Sequence, residues 1–156
     1  MQGKPQIIDA LNEILTGELT AVNQYFVHAK MCGNWGYKRL HEKIRAESID
    51  EMKHADKLIQ RVLFLEGVPN VQRLGKITIG QTVPEQLTLD LALERGAITG
   101  LNQHIELARS LGDNGTRDLF EEILHAEEDH VDWLEAQLTL ISQVGEAQYL
   151  AQQINS

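Results

Sequence analysis

Residues 47–58 have the sequence ESIDEMKHADKL, in which Glu51 and His54 lie three positions apart within a helical pattern. The same two residue types return 76 positions later as Glu127 and His130. Residues three apart share one face of a helix, so each pair is predicted to point in a single direction. The repeat indicates that one half of a metal site is encoded twice.

A third residue follows the same interval, because Glu18 is matched by Glu94. Each repeated glutamate interrupts a stripe of apolar residues spaced by three and four, as Glu18 does between Ile14 and Ala21. Glutamate is rarely buried unless it is paired or bound to a metal. Four helices are therefore predicted to aim a carboxylate into a shared core, and two of them add a histidine.

Composition limits the possible partners. The 156 residues, 42% hydrophobic, fit one domain spanning 1–156. A net charge of −9 argues against nucleic acid or an anionic membrane surface as a partner. Cys32 is the only cysteine, so a cysteine-rich metal site and an internal disulfide are excluded. Neither a signal peptide nor a membrane span is recognised, and a cytoplasmic location is expected.

The chain is predicted to be all-α, with breakers that separate four long helices and a short fifth. A long connection, residues 67–82, lies between the second and third helices, and KITI at 76–79 is predicted to be briefly extended. It is long enough to cross the bundle, as in ferritin-like folds. The predicted helices run from Pro5 to the GNWG stretch at 33–36, from Tyr37 to Leu65, from a Thr82–Glu85 capping box to Gly112, from an Asn114 cap to Gln143, and over EAQYLAQQ after Gly145.

Charge balance indicates what the six repeated residues bind. Four ionised carboxylates in one core would repel one another, whereas two divalent cations and two neutral imidazoles bring the net charge to zero. A dinuclear metal site is therefore favoured over a satisfied polar core. Oxygen and imidazole ligands without thiolate favour iron or manganese, with open positions for dioxygen or peroxide.

Other residues keep two interpretations. Tyr25, two turns after Glu18, either hydrogen-bonds a ligand carboxylate and supplies an electron or is an ordinary buried tyrosine. Met52, about 100° from Glu51, fits packing against a partner subunit better than haem ligation by spacing alone. Glu47 and Asp50 are either an iron relay or solvated carboxylates. The remaining assignments are a solvated face for the unrepeated pair Glu122 and His125, and surface or packing roles for His28, His41 and His104.

The sequence resembles the bacterioferritin family over essentially its whole length. The resemblance is carried by ESIDEMKHADKLIQRVLFLEGVPN at 47–70, GELTAVNQYF at 17–26, AEEDHVDWLEAQL at 126–138 and VGEAQYL at 144–150. It implies that Glu18, Glu51, His54, Glu94, Glu127 and His130 bind a ferroxidase di-iron centre. It also implies that Met52 is an axial ligand of haem b between two subunits related by a two-fold axis.

The resemblance further implies a hollow shell of 24 subunits, which in some members of the family is mixed. Asn34, Glu66 and Asp132 match positions that line an iron entry pore, with solvated rim charges as the equal alternative. Thr139 and Ala46 differ from residues that some relatives place at that pore and at an inner site. The expected external partner is a bacterioferritin-associated ferredoxin that reduces the stored iron through the haem.

The expected function is iron storage and detoxification. Fe2+ is oxidised by dioxygen or hydrogen peroxide at a centre bridged by Glu51 and Glu127, and ferric mineral collects in the shell. A ferritin-like di-iron oxygenase or peroxidase is the alternative enzyme. A structural bundle with a buried polar layer is the non-enzymatic alternative.

Overall fold

The computed structural model describes all residues, 1–156, and contains five helices and no strand. They are α1 (Pro5–Asn34), α2 (Lys38–Phe64), α3 (Val83–Ser110), α4 (Asn114–Val144) and α5 (Glu146–Ala151). The predicted all-α class, the order of the helices and the long crossover between α2 and α3 are confirmed. No helix is long and apolar enough to cross a membrane.

The helix starts differ in detail from the predicted caps. Asp113, rather than Asn114, caps α4, because its carboxylate accepts a 3.0 Å bond from the backbone N–H of Thr116. Thr82 caps α3 as predicted, accepting from the N–H of Glu85. The return bond of the capping box is displaced by one residue, since the Glu85 carboxylate accepts from the N–H of Gln81 instead of Thr82.

The four long helices form two hairpins, α1 with α2 and α3 with α4, and α1 also packs beside α3. Contacts between α1 and α3 join residues whose numbers rise along one helix and fall along the other, as Glu13 with His104 and His28 with Asp90 show. These two helices are therefore antiparallel. This register brings the middle of α1 opposite the middle of α3. Glu18 and Glu94, the two repeated glutamates that have no histidine three residues later, lie there.

The crossover between α2 and α3 is held by a polar stripe on α1 rather than by a strand partner. The KITI segment predicted as extended is not a strand. Backbone N–H groups of the crossover donate instead to α1 side chains. The bonds are Asn70 to Asn12 at 2.8 Å, Gly75 to Thr20 at 2.8 Å, Thr78 to Gln24 at 3.1 Å and Gly80 to His28 at 3.0 Å. Because these side chains are spaced by multiples of four, one face of α1 fixes the path of the crossover.

Gly80 marks the point where the crossover meets α3 most closely. A Cβ atom at this position would lie 2.6 Å from the backbone nitrogen of Gln86. The side-chain amide of Gln86 also donates to the Gly80 carbonyl at 3.2 Å, which holds the crossover against α3. A glycine is therefore required where the crossover turns into the third helix.

The core is divided into two apolar clusters by a polar layer. On α1, one cluster includes Leu11 and Leu15 and the other includes Ala21 and Tyr25, with Glu18 between them. The other three helices are divided in the same way. A water-poor environment therefore surrounds the polar layer on both sides along the bundle axis.

Candidate metal centre

The polar layer consists of the six residues identified by the 76-residue repeat. Five of these residues are buried, and the His54 side chain is 12% exposed. Every one of the four long helices contributes, and the residues are Glu18, Glu51, His54, Glu94, Glu127 and His130. The structure thus brings together every residue that the sequence placed in the dinuclear site.

The six side chains form two overlapping groups of potential ligands. One group contains Glu18, Glu51, His54 and Glu127, and its ligand atoms lie within 4.8 Å of one another. The other group, within the same limit, replaces Glu18 and His54 by Glu94 and His130. Glu51 and Glu127 belong to both groups, so they are the carboxylates with the geometry to bridge two ions.

Both histidines direct Nδ1 toward the carboxylates. Nδ1 of His54 lies 3.2 Å from Glu127 Oε1 and 3.7 Å from Glu51 Oε2, and it forms no hydrogen bond. Nδ1 of His130 lies 3.2 Å from Glu94 Oε1. Each imidazole therefore offers the same ring nitrogen to one end of the site.

Several buried oxygens of this site have no hydrogen-bond partner. They are Glu18 Oε2, Glu94 Oε2 and both carboxylate oxygens of Glu127. Leaving a buried polar atom unpaired costs about 1–3 kcal/mol, and more for a charged group. A protein that keeps four such oxygens together has a donor set suited to cations.

The protonation of the site reflects the closeness of its buried carboxylates to one another. Burial, together with the charge of Glu127, raises the pKa of Glu18 to about 8. Burial opposes the charged form of His54, but the carboxylates of Glu127 and Glu18 outweigh it and raise the pKa of that imidazole to about 10. In the metal-free protein, protons on Glu18 and His54 therefore supply part of the positive charge that bound metal ions would supply.

His130 has a different environment. Burial lowers the pKa of its imidazole, which favours the neutral form that binds metals. Its ring stacks on Trp133, with centroids 6.2 Å apart, and meets the Tyr25 ring edge-on at 5.3 Å. Packing on both sides fixes the direction of this nitrogen.

Tyr25 lies directly behind the centre. Its hydroxyl donates to Glu94 Oε1, so the hydrogen bond to one of the six carboxylates is present, although the acceptor is on α3. Burial, reinforced by the charges of Asp90 and Glu127, raises the pKa of the phenol well above its usual value. Tyr25 is therefore a neutral donor that orients Glu94, and its role as an electron source stays a prediction.

Two cavities reach the six residues from opposite faces of the bundle. The α2/α4 cavity, about 170 Å³, is lined by Glu47, Asp50 and Asp129 together with Glu51 and both histidines, His54 and His130. The α1/α3 cavity, about 280 Å³, reaches Glu18, Glu94 and Glu127. Glu47 and Asp50 thus lie beside the centre. Glu47 is partly paired, with Oε1 2.9 Å from the Lys43 ammonium.

The other predicted residues lie away from the centre. Met52 is 49% exposed on α2 and projects away from the six residues. Asn34, Glu66 and Asp132 are exposed, and Asn34 and Glu66 lie beyond opposite ends of α2. A helix of 27 residues spans roughly 40 Å, so one chain does not bring these two together. A pore lined by them requires several copies.

Two buried or cavity-lining acidic residues near the site, Asp90 and Asp129, were not predicted from the sequence. Asp90 is buried and accepts from Gln24 at 2.9 Å, with His28 Nδ1 2.8 Å from the same oxygen. His28, predicted as a surface or packing residue, is a fully buried packing residue. Asp129 lines the α2/α4 cavity. The available signal for Asp90 was its place one turn before Glu94, inside the apolar stripe.

The pKa values predict how the metal-free protein responds to pH. Glu18 has a folded pKa of about 8 against an ordinary 4.5, and His54 has about 10 against 6.5. Both groups bind a proton more tightly when folded, so their stabilisation is complete at low pH and is lost as pH rises. The thermal midpoint of metal-free protein is expected to fall by on the order of 5 °C between pH 6 and pH 9.

Calorimetry of chelator-treated protein measures this effect. Glu18→Gln removes the titrating carboxyl and part of the charge that raises the His54 pKa, so its midpoint should depend less on pH. Adding Zn²⁺ should remove most of the wild-type dependence. A wild-type midpoint that rises between pH 6 and pH 9 would contradict the assigned protonation.

Comparison with known proteins shows which sequences this chain is similar to. Residues 8–144 match the model of the ferritin-like domain. The chain is 50% identical to the bacterioferritin of Mycolicibacterium paratuberculosis over 152 residues. These aligned residues cover 97% of this chain and 96% of the relative. It is 48% identical over 152 residues, with the same coverage, to that of Mycobacterium leprae. It is 47% identical over 149 residues to that of Brucella melitensis, covering 96% and 92%.

Proposed function

Since this chain belongs to the bacterioferritin family, we propose that it stores iron and oxidises Fe²⁺ to Fe³⁺ at the centre formed by its six repeated residues. The observation that carries the proposal is the sharing of Glu51 and Glu127 by two groups of four ligands. Two ferrous ions can then be held side by side. Iron is the substrate in this reaction.

The position of each of the six residues determines its proposed role. Glu18 and His54 hold one ion, Glu94 and His130 hold the other, and Glu51 and Glu127 bridge them. Two ferrous ions give up two electrons, and dioxygen takes these with two protons to form hydrogen peroxide. A second pair of ferrous ions reduces the peroxide, with two further protons, to two waters. The apolar clusters shield the ligands along the bundle axis, and the two cavities give access to them from the sides.

Tyr25 is proposed as an auxiliary electron donor. When the phenol gives one electron to the dioxygen or peroxide that is reduced at the centre, the hydroxyl proton has an immediate acceptor in Glu94 Oε1. Transfer of the proton with the electron leaves a neutral radical. It avoids a buried radical cation and also a phenolate, which burial makes unfavourable by raising the pKa of the phenol. The α2/α4 cavity, with Glu47 and Asp50, is the proposed exit for ferric product.

The proposed assembly is a shell of 24 chains, of one or two kinds, with haem b bound between pairs of subunits. Met52 fits this role because its thioether is exposed and Ile49, one turn earlier on α2, is also exposed and apolar. A single chain offers one such sulfur, so an axial pair needs a second copy. When bound, haem supplies a one-electron relay for iron release, and a small ferredoxin is the proposed reductant.

A di-iron oxygenase remains the alternative enzyme. The α1/α3 cavity, at about 280 Å³, falls just below the range of about 300–1,000 Å³ that is usual for pockets of organic ligands. Iron and small oxidants therefore suit this centre better than an organic substrate.

Metal counting and rapid kinetics test the proposal together. Anaerobic titration of chelator-treated protein with Co²⁺ should saturate at two tightly bound ions per chain. Mixing two Fe²⁺ per chain with dioxygen should give a fast phase that is absent once the centre is blocked with Zn²⁺. Light scattering should give the mass of 24 chains. Binding of one ion or none, or an oxidation rate equal to that of free Fe²⁺, would overturn the ferroxidase assignment.

A further inference from the structure

The α1/α3 cavity exists because small residues face one another across the two helices. They are Gly17 and Ala21 on α1 and Gly96, Ala97 and Gly100 on α3. A Cβ atom built on Gly17 or Gly96 would meet nothing within 4 Å, and one on Gly100 would meet only Ile14 at 3.7 Å. The helices are therefore separated by an open passage along this stretch.

The buried end of the passage is a cation-attracting surface. Glu18, Glu94 and Glu127 line it, and each is at least 97% buried. Each also has at least one carboxylate oxygen without a hydrogen-bond partner. Carboxyl oxygens that lack a hydrogen-bond partner are available as ligands, and an ionised carboxylate in a water-poor site attracts a cation more strongly than it would in water.

The exposed end of the passage is formed by Glu13 and His104. Nε2 of His104 lies 2.9 Å from Glu13 Oε2, which links α1 to α3. The Glu13 side chain is 68% exposed and that of His104 is 15% exposed, so solvent reaches the pair from one side only. The His104 ring lies against Phe120, with centroids 6.2 Å apart, which fixes its orientation.

We propose that Glu13 and His104 form a transient Fe²⁺ site at the mouth of the α1/α3 cavity, through which the ion reaches Glu18 and Glu94. The pair offers one carboxylate oxygen and one imidazole nitrogen, the donor types of the centre itself. The Nε2 proton that faces Glu13 moves through solvent to Nδ1, and the arriving ion then exchanges the Glu13–His104 contact for two coordination bonds. Two protein ligands hold it weakly, so it passes on to the four carboxylates.

The distances suit a short transfer. Glu13 precedes Glu18 by five residues, which is roughly 7.5 Å along α1. No lysine or arginine lines the cavity between them. An ion that leaves the mouth therefore meets further carboxyl ligands and no lysine or arginine. This inference rests on the proposed function, because it assigns the entry route of that centre.

Metal binding tests the mouth site without any turnover. Titration of chelator-treated protein with Mn²⁺ should show two tight ions per chain and additional weak ones. The double variant Glu13→Gln, His104→Ala should lose one weak ion per chain and keep both tight ones. Thr99→Leu, an exposed position on α3, serves as the control and should match wild type. Equal weak binding in wild type and the double variant would overturn the mouth site.

Kinetics test the route. Gly100→Leu should fill the passage, and both it and the double variant should slow oxidation about 10-fold when Fe²⁺ is limiting. When the centre is loaded with Fe²⁺ anaerobically and then mixed with dioxygen, both should match wild type. Slowing of the preloaded reaction in Gly100→Leu would assign the passage to the oxidant and overturn iron entry. Unchanged oxidation rates at limiting Fe²⁺ would also overturn iron entry through the passage.

The controls separate this inference from the proposed function. If wild type binds two tight ions and oxidises Fe²⁺ rapidly, the ferroxidase assignment holds whatever the mouth variants do. If wild type does neither, that assignment fails before the variants are compared. Circular dichroism of Gly100→Leu should show an unchanged helical fold, since its new side chain enters open space.

Discussion

Replacing Glu127 with alanine is expected to lower the rate of rapid Fe²⁺ oxidation by at least about 100-fold. Loss of a residue that only supports a metal ligand already reduces affinity or activity about 10–100-fold. Glu127 belongs to both ligand groups, so its removal weakens two ion positions at once.

The charge of Glu127 acts in two directions in the metal-free protein. It raises the pKa of Glu18, and it also attracts the protonated imidazole of His54, whose Nδ1 lies 3.2 Å from Glu127 Oε1. Because these effects oppose each other, the oxidation rate is the measurement that reports the role of Glu127 as a ligand.

Stopped-flow kinetics measure the oxidation rate, and calorimetry of chelator-treated protein checks that the variant is folded. Glu122→Ala is the matched control, because Glu122 and His125 form another Glu-x-x-His on α4 whose histidine side chain is 77% exposed. Its only strong contact is an exposed ion pair with Lys57, worth little. Fast oxidation that survives in Glu127→Ala, or an equal loss in Glu122→Ala, would contradict the assigned centre.

The sequence predicted that these six side chains lie together because several independent constraints fell on the same residues. Glu51 and His54 had to share a helix face by their spacing, and a buried charge on that face needed compensation. The 76-residue interval added a second copy with the same property. Burial of Glu18 and Glu94 in the middle of α1 and α3 followed from the apolar residues around them.

The crossover was less predictable, because its partners are side chains on a distant helix. Thr20, Gln24 and His28 have the spacing of a solvated face of α1. Only the fold shows that this face receives the backbone of residues 70–80. In the KITI pattern, the N–H of Thr78 therefore donates to a side chain of α1 and not to a strand partner.

Contacts between α1 and α3 were likewise hidden. Glu13 and His104 are 91 residues apart and meet only because of the register of two antiparallel helices. A hydrophobic pattern indicates which face of each helix turns inward, but it does not give that register. The small residues that open the α1/α3 cavity carry no signal either, since Gly17 and Gly96 resemble ordinary surface positions in a single sequence.

Replacing Met52 with leucine is expected to abolish haem binding and leave ferrous oxidation within about two-fold of wild type. Leucine keeps the volume and apolar character of the side chain, so packing between copies should persist. It has no sulfur for the haem iron. Met52 lies outside both ligand groups and lines neither cavity that reaches the centre.

Absorption spectra of protein reconstituted with haem b measure the binding, and light scattering checks that the assembly is intact. Met31→Leu is the matched control, because this methionine is partly buried and accepts from the Gln86 amide at 3.5 Å. It should bind haem as wild type does. Retention of haem in Met52→Leu would overturn the axial assignment. Loss of haem together with a change of assembly size would instead place Met52 among the packing contacts, the alternative that its spacing first indicated, because sulfur ligation alone does not determine how the copies associate.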